Sequence, residues 1–331
     1  MNILFIGTKS GNAYLQYKAL RDIYKNVDFI DGYDSLLKID FFLKIFIHIS
    51  PYIFKNYLNN LIIKKIKKKY DLIYVRSGEL IGKELIDLLK KKTKKIVFFC
   101  NDNPFVKRDK NKWQLFKDAA KDYDLIIFQD ASRLIGAKKN NLKNTFLMYP
   151  PYDKFIHEKG SGINNKIYDV VFVGTWSKKK SYLIQKLIKS KINIKVFGTR
   201  WDKDPNYNLY KMSVKIGHFK FKKYTNIIKK AKIALCLFSD ENKDTITARA
   251  MEIPAAGTFM LSLKTFAMKK IFKENKEVVF FNNYRDCVKK CNYYLKNNKK
   301  LNQIAKNGHY KVTKIINNNN HEFIKKIVNK I

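Results

Sequence analysis

Apolar runs of about five residues recur along this chain, each ended by a glycine or a polar residue and separated from the next by a stretch with helical spacing. Asn2-Ile-Leu-Phe-Ile-Gly7 opens the series; Thr8-Lys-Ser-Gly-Asn12 and a helical pattern from Ala13 to Tyr24 follow. Val27-Asp-Phe-Ile-Asp31, Asp71-Leu-Ile-Tyr-Val-Arg76, Ile96-Val-Phe-Phe-Cys100 and Leu125-Ile-Ile-Phe-Gln129 continue it. A strand that is apolar at nearly every position is covered on both faces, the situation of a parallel sheet between layers of helices.

The same grammar restarts after Pro150-Pro151 and the polar stretch Glu158 to Lys166, with Asp169-Val-Val-Phe-Val-Gly174, Ile194-Lys-Val-Phe-Gly198, Ile233-Ala-Leu-Cys-Leu-Phe238 and Glu277-Val-Val-Phe-Phe281. A chain of 331 residues also exceeds what one core usually fills. The expectation is therefore α/β, with two consecutive Rossmann-like domains over residues 1–155 and 165–331. The tail from Asp286 to Ile331 has helical spacing interrupted at Asn317 to Asn320, and it covers the second sheet or returns to the first domain.

The formal net charge of +40 resembles a nucleic-acid footprint, yet only seven of the 68 basic residues are arginine. Sequence-specific readers of nucleic acid lean on the bidentate fork of arginine, so nearly pure lysine excess reads mainly as solvated surface. The four cysteines, Cys100, Cys236, Cys287 and Cys291, lack a second ligand pair at zinc spacing and are expected as reduced, buried thiols. With no run near ~20 apolar residues and no cleavable leader pattern, the chain is expected to be cytoplasmic.

In an open parallel sheet, ligands lie beyond the carboxyl ends of the strands, where glycine loops and helix N-termini offer amides to phosphates. Gly174-Thr-Trp-Ser-Lys-Lys-Lys180, Gly198-Thr-Arg-Trp201, Gly217-His218 and Asp240 to Thr247 are such loops in the second half. Neither half contains GxGxxG or a Walker A loop, which argues against a dinucleotide dehydrogenase or a P-loop NTPase.

The segment Asp244-Thr-Ile-Thr-Ala-Arg-Ala-Met-Glu252-Ile-Pro-Ala-Ala-Gly257-Thr-Phe-Met-Leu-Ser262 resembles the C-terminal signature of the CgeB-like glycosyltransferases, a branch similar to glycosyltransferase family 4. Glu277-Val-Val-Phe-Phe281, Tyr293-Tyr-Leu-Lys-Asn297 and Ile304-Ala-Lys-Asn-Gly308 follow in the family's order, and Asn101-Asp-Asn-Pro104 is similar to its acidic-Pro turn. The resemblance implies the GT-B fold, two Rossmann-like domains facing across a cleft, and retaining transfer from a nucleotide sugar. It also places Asp244 and Glu252 at the family's paired acids, Asp standing where the first Glu belongs. Lys180 matches the lysine that holds the diphosphate, while Thr175 occupies the arginine position, leaving Arg249, Lys178 or Lys179 to supply the second cation.

The residues have a physical reading of their own. A helix starting near Thr245 to Thr247 presents free amides to a diphosphate, with Thr247, Ala248 and Arg249 in its first turn. Glu252 on that helix can accept from two ribose hydroxyls, and Asp244, ahead of it, can hold hydroxyls of the donor sugar as the catalytic acid of the site. Gly174, Thr175, Gly198, Gly217 and His218 complete the donor side. Gly7, Gly11, Gly78 and Asp102 are the acceptor-side candidates. No Asp-x-Asp motif lies in a suitable loop, so neither metal nor cofactor is expected, and cations must stabilise the leaving diphosphate.

The expected activity is thus sugar transfer in cell-surface glycan assembly, to a glycan, lipid-linked or protein acceptor. A basic nucleic-acid-binding protein and a GT-B nucleotide-sugar epimerase are the alternatives. Phe41-Phe-Leu-Lys-Ile-Phe-Ile47 and Lys64-Lys-Ile-Lys-Lys-Lys69 read as core helices of the first domain or as a face for peripheral contact with anionic membrane at the inner surface.

Overall fold

In the computed structural model, residues 1–157 and 166–331 are described. The polar stretch expected as a linker lies, from 158 to 165, outside the described residues. Two compact units result: Met1–Tyr149 with Glu241–Lys243 and Asn320–Ile331, and Pro150–Asp240 with Asp244–Asn319.

The first unit is built on β1 (Asn2–Ile6), β2 (Asn26–Ile30), β3 (Tyr70–Val75), β4 (Thr93–Cys100), β5 (Leu125–Phe128) and β6 (Thr145–Leu147). They form one sheet in the order β2-β1-β3-β4-β5-β6, with every neighbouring pair parallel. Alternate side chains feed two cores. Leu4, Ile6, Ile73, Val75, Phe98 and Phe128 pack on one face, and Ile3, Phe5, Tyr74, Val97 and Phe99 on the other. The second face is covered by the helix Gly11–Ile23 and by the closing helix Asn320–Val328, whose Phe323 ring lies 4.7 Å from that of Phe99. The last residues thus count with the first sheet, whereas residues through Asn319 stay with the second unit.

The second unit contains β7 (Tyr168–Val173), β8 (Ile194–Gly198), β9 (Val214–Ile216), β10 (Ala231–Cys236), β11 (Phe259–Leu263) and β12 (Val279–Phe281). Its order is β12-β11-β10-β7-β8-β9, again all parallel. Read from the other edge, this is the Rossmann order 3-2-1-4-5-6, with its reversal between β7 and β10. Edge strands β6 and β9 were not expected from the sequence. Each has three residues and no fully buried position, so neither forms an apolar run. All four cysteines are buried and unpaired, and burial pushes the Cys236 thiol up to about 11. Among the described residues, no helix is long and apolar enough to cross a membrane.

The closing helix supplies fully buried Phe323 to the first core. Phe323→Ala is expected to cost about 3–5 kcal/mol, the usual price of emptying a phenylalanine site, measured by urea unfolding. A loss below about 1 kcal/mol would show that the helix does not hold the sheet.

Candidate functional site

In the second unit, the carboxyl ends of β7, β8 and β9 converge on a pocket of about 170 Å3, lined by Gly174, Thr175, Gly198, Gly217, His218 and Arg249 among others. The structure therefore brings six of the sequence candidates together. Their glycines answer to close backbone approach: a Cβ on Gly198 would collide with the Gly174 carbonyl. That carbonyl accepts from Trp201 Nε1 at 2.9 Å, and Gly198 O accepts from the Gly217 amide at 3.0 Å. The Thr175 and Thr199 hydroxyls lie 3.2 Å apart at the rim, where His218 is exposed.

Arg249 is fixed from two directions. Its Nε donates to the carbonyl of Val173, the last residue of β7, at 2.7 Å, and its guanidinium lies 5.4 Å from the Tyr224 ring centroid. No further hydrogen bond from this guanidinium is found among the described residues, so its remaining N–H groups are available to the pocket it lines. The cation thus stands over the point where the strand order reverses.

The helix that carries Arg249 begins later than the sequence indicated, at Arg249 itself rather than near Thr245 to Thr247, and ends at Ala255. The preceding backbone is committed elsewhere. The Asp244 amide donates to Ser239 O at 2.9 Å, and Thr245 O accepts from the Thr265 hydroxyl at 2.7 Å. Thr247 and Ala248 form the entering turn, their carbonyls accepting from Ala250 and from Met251 and Glu252. Asp244 stands five residues ahead of this helix, outside its cap. Pro254 shortens the helix, and Gly257 closes it at φ 72° in the left-handed region that favours glycine.

Glu252 points inward and is 7% exposed. Two residues that sequence reasoning missed surround it. His157 Nδ1 lies 3.1 Å from the Asp153 amide nitrogen and 3.0 Å from the Asp153 carbonyl oxygen, and its Nε2 is 4.0 Å from Glu252 Oε1. Tyr224 is held neutral well above the usual phenol range, by burial first and by the Glu252 charge second. Both lie far from Glu252 in sequence, with no motif to mark them. Lys180 Nζ reaches the Thr175 carbonyl at 3.4 Å but lines a separate, more apolar cavity of about 350 Å3 with Lys179, Leu237, Phe238 and Tyr284. Lys179 pairs with Asp240 at 2.9 Å, and Lys178 is exposed.

In the first unit, Gly7, Gly78 and Asp102 follow β1, β3 and β4 at the carboxyl edge, and Gly11 opens the first helix. Gly7 abuts the Phe5 ring and Cβ of Arg76, and a Cβ on Gly78 would strike the Phe98 ring. Gly11 has φ 59° and open space before it. Asp102 is ion-paired with Arg108 at 2.9 Å. Among the described residues, no group of three or more His, Cys, Asp or Glu could hold a metal ion.

Comparison with known proteins bears on this arrangement in three ways. Residues 178–321 match the family model described as glycosyl transferase-like. No curated protein sequence matches the chain. Among solved structures, sucrose-phosphate synthase from Thermosynechococcus elongatus is similar with TM-score 0.72 at 10% identity, covering 100% of this chain and 98% of that one. HepE of Anabaena in complex with UDP-glucose gives 0.68 at 12% identity, over 100% of both chains. The UDP-forming α,α-trehalose-phosphate synthase of Burkholderia xenovorans, in complex with glucose-6-phosphate, gives 0.63 at 8% identity, over 99% of both. Identities this low carry the fold alone. The chain thus has the GT-B fold, and residues 178–321 within it match a glycosyl transferase-like domain.

Proposed function

We propose that the protein transfers a sugar from a UDP-sugar bound by the second unit to an acceptor taken by the first, without metal and with the retention that the resemblance to family 4 implies. The observation that carries this reading is Arg249, anchored on the Val173 carbonyl and facing the glycine-lined pocket. UDP is chosen because similar folds have been solved with UDP or UDP-glucose bound.

In this reading the diphosphate meets Arg249, Gly174 and Thr175, and Lys180 adds charge from beside Thr175. The base lies toward Gly217 and His218. Thr247 and Ala248 flank the diphosphate as the turn entering the helix. Glu252 takes the ribose hydroxyls, its carboxylate oriented by His157, and Asp244 holds the donor sugar. As the bond between the sugar's C1 and the phosphate oxygen breaks, its electron pair passes to the diphosphate. The acceptor oxygen bonds to C1, and its proton goes to the departing phosphate oxygen. Fixed cations stabilise that developing charge without reorganising. Gly7, Gly11, Gly78 and Asp102 mark the edge of the first sheet where the acceptor is assigned.

Charge-assisted hydrogen bonds contribute about 1.5–3 kcal/mol each, so Arg249→Gln and Glu252→Gln should each weaken UDP binding at least roughly tenfold by titration calorimetry. Glu241→Gln, at an exposed position, should leave it unchanged, as should a divalent-metal chelator. Parental affinity in Arg249→Gln, or loss of binding in chelator, would refute the assignment.

Peripheral membrane contact belongs to the same proposal. Around the helix Asp40–His48, Phe46, Phe54 and Leu58 are buried as core, yet Phe41, Ile49 and Ile53 are 65%, 63% and 63% exposed. Lys64 to Lys69 follow at the end of the next helix. Apolar residues near a basic cluster suit anionic lipid. The protein should co-float with vesicles containing phosphatidylserine, and Phe41→Asp with Ile53→Asp should abolish this while UDP still binds. Flotation of the double variant at the parental level would remove this face from consideration.

A further inference from the structure

Arg76 directly follows β3, and its amide donates to Ile6 O at the end of β1 at 2.7 Å. In a sheet ordered β2-β1-β3, that is where the strand order reverses, the place at which open parallel sheets take ligands. Its guanidinium lies 4.3 Å from the Phe99 ring centroid, and Nη1 donates to the Phe99 carbonyl at 3.0 Å. Nε is shielded from solvent and has no partner. No ion pair to Arg76 is found among the described residues.

The neighbouring arginines are different. Arg108 is bridged to Asp102 and Asp109, and Arg133 to Asp130 at 2.6 Å. The nearby acid Glu79 is already engaged, by the Tyr33 hydroxyl at 2.6 Å and by Lys112 at 3.4 Å. Arg76 is half-buried, and its Nε, shielded and without a partner, is a donor that an anion would satisfy. A second orphan points the same way. Gln16, 1% exposed, accepts the Tyr74 hydroxyl proton at 3.0 Å and leaves its own Nε2 without a partner. Burial raises the Tyr74 phenol, and the charge of Arg76, two residues on, opposes that shift. Both unpartnered groups are donors. The loop from Gly7 to Gly11 passes beside them, the Gly7 backbone close against Arg76 Cβ, with open space before Gly11. The helix Gly11–Ile23 starts without a side-chain cap from Ser10 and without an acid in its first turn.

We propose that Arg76 and the Gly7–Gly11 loop form a subsite for the oxyanion of a phosphorylated acceptor. This rests on the reading that the first unit takes the acceptor, and it narrows that acceptor to one carrying phosphate. The phosphate is the shared chemistry of a soluble sugar phosphate and of a lipid-linked phosphate.

The test is titration of the protein, already saturated with UDP, with inorganic phosphate, glucose 6-phosphate, a short-chain polyprenyl phosphate and glucose. The phosphorylated probes should bind in the presence of UDP, and glucose should bind at least tenfold more weakly than glucose 6-phosphate. Glucose 6-phosphate binding tighter than polyprenyl phosphate assigns a soluble acceptor, and the reverse order a lipid-linked one. Arg76→Gln should weaken every phosphorylated probe at least tenfold without changing UDP affinity, whereas Arg249→Gln should do the opposite. Arg76→Met separates this from a structural role: it should keep the parental UDP affinity, which reports a folded protein, while losing phosphate binding. Displacement of all phosphorylated probes by UDP, or parental phosphate binding in Arg76→Gln or Arg76→Met, would each overturn the subsite. Failure of UDP to bind at all would sink the donor reading instead and leave the Arg76 arm readable.

Discussion

The hydrogen bond from Arg249 Nε to the Val173 carbonyl ties the chemistry of the second unit to its topology. A parallel sheet leaves the last carbonyls of its strands without partners where the order reverses, and here one of them is satisfied by a side chain instead of water. The consequence reaches further than one bond. Fixing Arg249 sets the start of the short helix behind it, and three residues on that helix turns Glu252 inward, against His157 and Tyr224. The same anchor puts a permanently charged guanidinium on the wall of a pocket that three glycines also line. Lysine in that place would offer a point charge with no fork to divide between carbonyl and ligand.

Four of the seven arginines, in a chain with 61 lysines, stand where fork geometry matters. Arg133 is fully buried with Asp130, and Arg108 binds Asp109 through two nitrogens. Arg76 and Arg249 each combine a carbonyl with an aromatic face at a reversal of strand order. The lysines behave otherwise. Several of those in ion pairs sit at exposed helix positions, as Lys83 with Asp87 and Lys44 with Asp40, where the net contribution is small. Most of the large positive charge thus lies on residues other than the proposed binding arginines, which is why the charge alone is a poor guide to function.

Much of this was legible in the sequence because parallel strands buried on both faces have a strong signature. β1, β3, β4, β7 and β10 stand out as apolar runs, and the glycines that end β7 and β8 mark the pocket. β6 and β9 did not stand out, being three-residue edges. The segment from Asp244 to Gly257 was recognisable, but its helix start was not, since the Ser239 and Thr265 partners that hold residues 244–247 out of the helix are set by tertiary structure. Arg76 was missed for a related reason. Its meaning lies in an absent counter-charge, and no local pattern records a partner that is not there. An arginine immediately after an apolar run, in a chain otherwise using lysine, was the available signal.

The central claim is that Arg249 and the glycine pocket of the second unit receive the donor's diphosphate. A crystal structure with a UDP-sugar bound tests it most directly. The account predicts diphosphate oxygens within hydrogen-bonding distance of the Arg249 guanidinium and of the backbone after β7, with the base toward Gly217 and His218. A diphosphate seated away from Arg249, with that pocket empty, would contradict it.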